Sequence, residues 1–178
     1  MKTIQIVIVS LFLFSIPVNA QSTQEDPMTS KNTIGYLKIG DIEGESKTKF
    51  YEDQIEIFGL ASLIELENKT GTGRARATAA VSPITLVKKI DAATPYLMLA
   101  NLQGKSYSDA DITLVKSVNK VQKGYFIISL KNLVISKHQI DASSDRQEII
   151  SLTFEKITIK YIEAKGQHEV TFDNSERS

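Results

Sequence analysis

The chain contains no cysteine. That excludes disulfides, thiol catalysis, Cys-based zinc sites and iron–sulfur clusters. Histidine is nearly as scarce, with only His138 and His168. Metal binding or acid–base chemistry needs two or three convergent groups. No motif gathers them here, so both histidines are expected to face solvent or to sit at strand ends. An excess of one charge is also lacking, since 21 Lys and Arg oppose 21 Asp and Glu. Nucleic acid and anionic membrane surfaces both call for a basic excess, so neither is an expected partner. No Gly-x-Ser-x-Gly elbow is present for a serine nucleophile. The glycines of "GTGR", 71–74, lack the lysine and helix of a phosphate-binding loop. Asp141, Asp145 and Glu148 miss the alternate spacing of a calcium loop and read as part of a solvated connection. Glu65 and Glu67 share one strand face and read as solvating carboxylates. The expectation is a protein with no catalytic residues, no cofactor and no metal.

Long apolar runs are absent with one exception. Met1-Lys2 is a short basic start, Ile4 to Phe14 is almost wholly apolar, and Pro17-Val18-Asn19-Ala20 follows. This is the layout of a secretory signal, with cleavage expected after Ala20. The run is too short to span a bilayer comfortably, so stable membrane insertion is not expected. Removing residues 1–20 takes away Lys2 alone among the charged residues and leaves 158 residues. That length suits one domain, which buries about two thirds of its unfolded surface. Residues 21–33, "QSTQEDPMTSKNT", are polar and aperiodic and are expected to form a disordered leader. The domain is therefore expected over residues 34–178, in a secreted or periplasmic product.

Within the domain the dominant signal has a period of two. Leu37 and Ile39 alternate in "GYLKIGDI". Ile55 and Ile57 open a second strand, which Gly59 interrupts as glycine does at bends and bulges. A polar loop, "ENKTGTGR", precedes a strand from Arg74 to Leu86. Ile112, Leu114, Lys116 and Val118 mark another strand. Phe126, Ile128, Leu130 and Val134 are expected on one face of a longer one. In "IISLTFEKITIKYI", 149–162, Ile150, Leu152 and Phe154 keep one phase, whereas Ile157, Ile159 and Tyr161 take the opposite one. An extra residue near Glu155-Lys156 would be a bulge, which bends and twists a strand so that a sheet can close on itself. His168 to Phe172 can add a last short strand. One segment departs from the pattern. "DAATPYLMLANLQGK", 91–105, reads as a short, mostly buried helix, with Thr94 capping its start, Pro95 in its first turn and Gly104 at its end. The fold class is mainly β, a barrel or a sandwich with one helix.

Three stretches, in order, resemble the Hcp family, the haemolysin-coregulated proteins that form the inner tube of the bacterial type VI secretion system. "YLKIGDIEGES", 36–46, is similar to the family's opening strand and its Gly-Glu-Ser turn. "VKKIDAATPYLMLANLQGK", 87–105, is similar to its Asp-Lys-Ala-Ser-Pro entry into the single helix and the Gly-Lys exit. "ISLTFEKITIKYIEAKGQ", 150–167, is similar to its late strand, and the phase slip falls inside that motif. The resemblance implies a closed barrel of antiparallel strands with one short α-helix. It implies assembly into hexameric rings that stack head to tail into a tube, with sheath and spike proteins and small lumenal effectors as further partners. It places the ring-stacking loop at about Glu65 to Arg74, including Asn68, Lys69, Thr70, Gly71, Thr72 and Gly73.

Family members are normally loaded from the cytosol without a cleavable signal. The leader of this chain therefore keeps a second reading open: an exported barrel with an envelope or extracellular binding role. A β-fold enzyme is a third class, which no constellation of residues supports.

Overall fold

The computed structural model describes residues 32–68, 77–141 and 146–174. The strands are β1 (Gly35–Ile39), β2 (Ile55–Ala61), β3 (Ile64–Asn68), β4 (Ala77–Val81), β5 (Ile84–Lys89), β6 (Ser106–Val118), β7 (Val121–Asp141), β8 (Gln147–Glu163) and β9 (Gly166–Asp173). One helix, α1 (Thr94–Gln103), interrupts them. The strands run β5-β2-β1-β6-β7-β8, and β5 pairs with β8 to close an antiparallel barrel. The fold is thus mainly β, a closed six-stranded barrel with a single short helix among the described residues.

Closure follows from the apolar alternation. Leu37, Ile39, Ile55, Ile57, Ile84, Leu86, Ile112, Leu130, Ile150 and Leu152 all point inward and are fully buried. Each such side chain contributes about 1.5–3 kcal/mol relative to exposure. The barrel also needs bends. One bulge falls between Ile57 and Gly59, where the sequence places a bend. Others lie between Leu114 and Val115 and between Ile135 and Lys137. At Gly44 a Cβ would sit 2.5 Å from the Gln54 carbonyl oxygen, so the turn after β1 excludes any side chain there.

The phase slip of residues 149–162 is real, but its cause differs from the expectation. Ile150 and Leu152 are buried on one side of the slip and Ile157 on the other. No bulge lies at Glu155-Lys156 in the β7–β8 pair. Leu130 pairs with Ile157 and Leu133 with Phe154, in one unbroken register. Both strands change phase together instead. Asn132, opposite the slip, takes the left-handed conformation at φ 50° and its amide donates to Glu155 Oε2 at 2.6 Å. Asparagine tolerates that conformation better than most residues. Consequently Leu133 and Ile135 are buried on β7, whereas Val134, expected inward, is only half-buried. The slip marks a change of neighbour. Residues Gln147–Leu152 pair with β5 and close the barrel, and Lys156–Glu163 pair with β9.

Two other expectations are corrected. The strand expected from Arg74 to Leu86 is two strands, β4 and β5, parted at Ser82-Pro83, whose proline cannot donate to a ladder. Helix α1 ends at Gly104 in the left-handed region (φ 60°), as the sequence implies, but Thr94 is its first helical residue and Ala93 occupies the N-cap. Only Thr94, Leu97 and Ala100 of α1 are buried. Tyr96, Met98, Leu99 and Leu102 are exposed, so the helix lies on the barrel and does not plug it.

Candidate functional site

Strands β3 and β4 form a hairpin of their own, with Ile64 opposite Val81 and Asn68 opposite Ala77. It is a separate two-stranded sheet. Leu63 and Ile64 at its base are more than half exposed. A lone two-stranded ribbon is marginal in water, and unpaired edges are templates for another chain. The expected ring-stacking loop belongs to this hairpin. Asn68 is the last residue of β3, and Lys69, Thr70, Gly71, Thr72 and Gly73 lie outside the described residues.

Sequence reasoning missed a polar site at the barrel's closing seam. Lys88 on β5 and Glu148 on β8 face each other in register and both are fully buried. The Lys88 ammonium donates its three protons to Glu148 Oε1, to Asp91 Oδ1 at 2.7 Å and to the Lys89 carbonyl at 2.7 Å, and Thr94 Oγ1, at 3.3 Å, shares one of them. Thr94 in turn donates to Glu148 Oε1 at 2.9 Å. Asp91 Oδ1 accepts from the Ala93 amide at 2.9 Å, and Thr94 Oγ1 accepts from the Asp91 amide at 3.0 Å. The result is a clasp that fastens the start of α1 to the seam between β5 and β8. An unpaired buried charge costs several kcal/mol, which is why each oxygen and proton of such a pair needs a partner.

His138 belongs to the same cluster; it lies three residues from the end of β7, as the strand-end reading has it, but its ring does not face solvent. Its side chain is 3 % exposed, and Nε2 lies 3.0 Å from Glu148 Oε2, outside hydrogen-bond alignment. His168 does meet the expectation, being 72 % exposed and 3.0 Å from Glu163. Glu148 likewise leaves the solvated connection to which its neighbours assigned it. The missed signal was phase. Lys88 alternates with Ile84 and Leu86, and Glu148 with Ile150 and Leu152. A charge in step with a buried apolar row announces a buried partner.

At the barrel's far side Tyr36 donates to Thr48 Oγ1 at 2.9 Å and stacks on Tyr51 with centroids 4.3 Å apart. Burial pushes the Tyr36 hydroxyl above the ordinary tyrosine value of 10.0, and the Thr48 hydrogen bond opposes that shift. Among the described residues no group of three or more His, Asp or Glu is placed to hold a metal ion, and no helix is long and apolar enough to cross a membrane. His138 Nε2 and Glu148 Oε2 are buried without an aligned hydrogen bond, whereas Lys88, Asp91, Thr94 and Glu148 Oε1 bond to one another, and the geometry is that of a fastener.

Comparison with known proteins agrees with this architecture. The family model for "Type VI secretion system effector, Hcp" matches residues 36–161. Protein hcp1 of Pseudomonas aeruginosa is 29% identical over 131 residues, which is 71% of this chain and 81% of that protein. The crystal structure of a type VI secretion system effector from Yersinia pestis superposes with a TM-score of 0.66 at 26% identity, over 78% of this chain and 98% of that one. Hcp1 from Salmonella typhimurium gives a TM-score of 0.70 at 22% identity, over 80% and 95% of the two chains. The three motifs, the barrel and the family match converge: the chain belongs to the Hcp family and is a tube protein of the type VI secretion system.

Proposed function

We propose that this chain is a structural building block that assembles into hexameric rings, which stack through the β3–β4 hairpin into a hollow tube. The observation that carries this reading is the hairpin itself, a two-stranded ribbon outside the barrel sheet with an exposed apolar base at Leu63 and Ile64. A second copy completes what the protomer leaves open, through a heterologous contact. The loop Asn68, Lys69, Thr70, Gly71, Thr72 and Gly73 makes the ring-to-ring contact in this reading. Sheath and spike proteins engage the tube from outside and at its end, and small effectors travel in its lumen. The work is mechanical, and no residue is assigned a catalytic part.

The test is a variant in which residues 69–76, between the paired Asn68 and Ala77, are replaced by Asn-Gly, a two-residue hairpin turn. Rings of unchanged size that no longer stack are the expected outcome. Stacks of normal length would refute the role of the loop.

A second reading has its own support in the basic start, the apolar run and the small residues before position 21. In it the leader is cleaved after Ala20 and the mature barrel is secreted or periplasmic, serving an envelope or extracellular binding role. N-terminal sequencing of the protein from fractionated cells separates the two. A mature end at Gln21 in the periplasm favours export. An intact Met1 in the cytosol favours loading of the tube from within.

A further inference from the structure

The barrel covers only one side of helix α1. Thr94, Leu97 and Ala100 are buried against it. Tyr96, Leu99 and Leu102 recur every third residue and are exposed, Leu102 to 76 %. A surface helix ordinarily turns charged residues to water. None of the residues of α1 is charged, so its outer face is an apolar ridge without a cover.

Tyr96 and Leu99 form one wall of a groove of about 480 Å³. Tyr107, at the start of β6, lines it as well, and the turn after β1 supplies Asp41 and Glu43. Nearby Glu45 accepts from the amide of Ala92. Lys105 is the one basic residue of the lining, so the rim is net acidic. The groove already receives one cation. The Lys105 ammonium stands over the Tyr107 ring, 4.8 Å from its centroid, and 3.7 Å from Asp41 Oδ1. An aromatic face beside a carboxylate is what draws an ammonium or guanidinium group. Glu43 and Tyr96 are a second carboxylate and a second ring in the same lining. Among the described residues Glu43 has no ion-pair partner, and Tyr96 is largely exposed.

An occupant of this groove needs an apolar ridge flanked by positive charge. Side chains spaced as on α1 seat between those of a second helix. With 10 residues, α1 is about 15 Å long, which a partner helix of about three turns covers. A second copy of this chain lacks that element. Its one helix among the described residues is α1 itself, which has no positive charge to offer. We infer that the groove beside α1 docks a basic amphipathic helix of a different protein. The apolar ridge of that helix lies on Tyr96, Leu99 and Leu102, and its lysines or arginines meet Asp41 and Glu43. The contact goes beyond the reading of the chain as a self-assembling block, because the partner is another protein.

The probe is a labelled synthetic peptide of about 18 residues, with leucines at helical spacing and lysines on both flanks. Two controls accompany it, one with the same residues scrambled and one with glutamates in place of the lysines. Fluorescence anisotropy against the full chain is expected to show binding of the basic helix and at least tenfold weaker binding of both controls. Leu99→Ala with Leu102→Ala, and separately Asp41→Lys with Glu43→Lys, each weaken it about tenfold in chains that thermal melts show to be folded. Val121→Ala, an exposed apolar site at the far end of the β6–β7 hairpin, leaves it unchanged. Equal binding of the scrambled peptide, or an affinity untouched by the leucine variant, would overturn the site. Sedimentation of the same samples keeps this separate from self-assembly. Particles lost in the leucine variant would assign the ridge to a second copy and overturn the proposal. Particles retained without peptide binding would overturn it and leave assembly standing. Monomers that bind the basic peptide would support the site and remove the assembly reading instead.

Discussion

Lys88 and Glu148 meet directly across the seam where the barrel closes, both fully buried, with Thr94 of the helix bonded to the same carboxylate oxygen. The relationship ties three events of folding together: closure of the sheet, placement of α1, and burial of His138 against Glu148 Oε2. Removing one partner leaves the other charged in a dry site. Lys88→Met or Glu148→Gln is expected to cost about 3–5 kcal/mol in urea unfolding. The double variant Lys88→Met/Glu148→Gln costs less than the two single losses combined, because no charge is stranded between those positions. Additive losses would show that the two side chains act independently.

The concerted phase slip gives a second expectation. Ile157 is 4 % exposed and continues the inward row beyond Glu155. Ile157→Asp buries a charge without a partner and is expected to destabilise the fold by roughly 3 kcal/mol or more. Asn132 holds the slip from the other strand at φ 50°. Asn132→Gly should be tolerated, whereas Asn132→Val, a β-branched residue in the left-handed region, costs about 1–3 kcal/mol. A melting temperature unaffected by Ile157→Asp would place the register elsewhere.

That slip also shows what could be read from residues alone. Alternation at Leu37/Ile39, at Ile55/Ile57 and on both arms of residues 149–162 was enough for a β fold, and the three family motifs supplied the barrel. The slip itself was legible. Its mechanism was not, because one strand's sequence cannot show that its partner slips too through Asn132. Val134 was assigned inward for the same reason. His138 and Glu148 sit at positions that look polar and local, and only the pairing of β5 with β8, 60 residues apart at Lys88 and Glu148, brings them to one place. The exposed face of α1 escaped notice because an all-apolar helix reads as buried.

Alkaline pH supplies a third expectation. The folded Tyr36 hydroxyl titrates above 10.0, since burial favours its neutral form. Between the unfolded and folded values the folded state holds a proton that the unfolded state has released. Stability from this group is present below pH 10.0 and declines as pH rises through the folded value. Tyr36→Phe loses the Thr48 hydrogen bond, worth about 1 kcal/mol at neutral pH. It should also flatten the loss of stability above pH 10.0, as read from denaturant midpoints. An unchanged alkaline slope would mean that other groups set it.

Gly44 gives a fourth. Its missing side chain lets the turn after β1 approach β2, with the Gln54 carbonyl oxygen 2.5 Å from where a Cβ would be. Gly44→Ala forces that backbone contact apart and is expected to cost about 1–3 kcal/mol, measured by chemical denaturation. A neutral result would show that the turn can move away freely.

Self-assembly is the claim on which the functional account depends. Sedimentation velocity with negative-stain microscopy on the chain from Gln21 onward, across a hundredfold range of concentration, tests it most directly. The account predicts open-centred rings of six protomers, joining into short stacks at the highest concentrations. A monomer at every concentration, folded and free of aggregates, would contradict it.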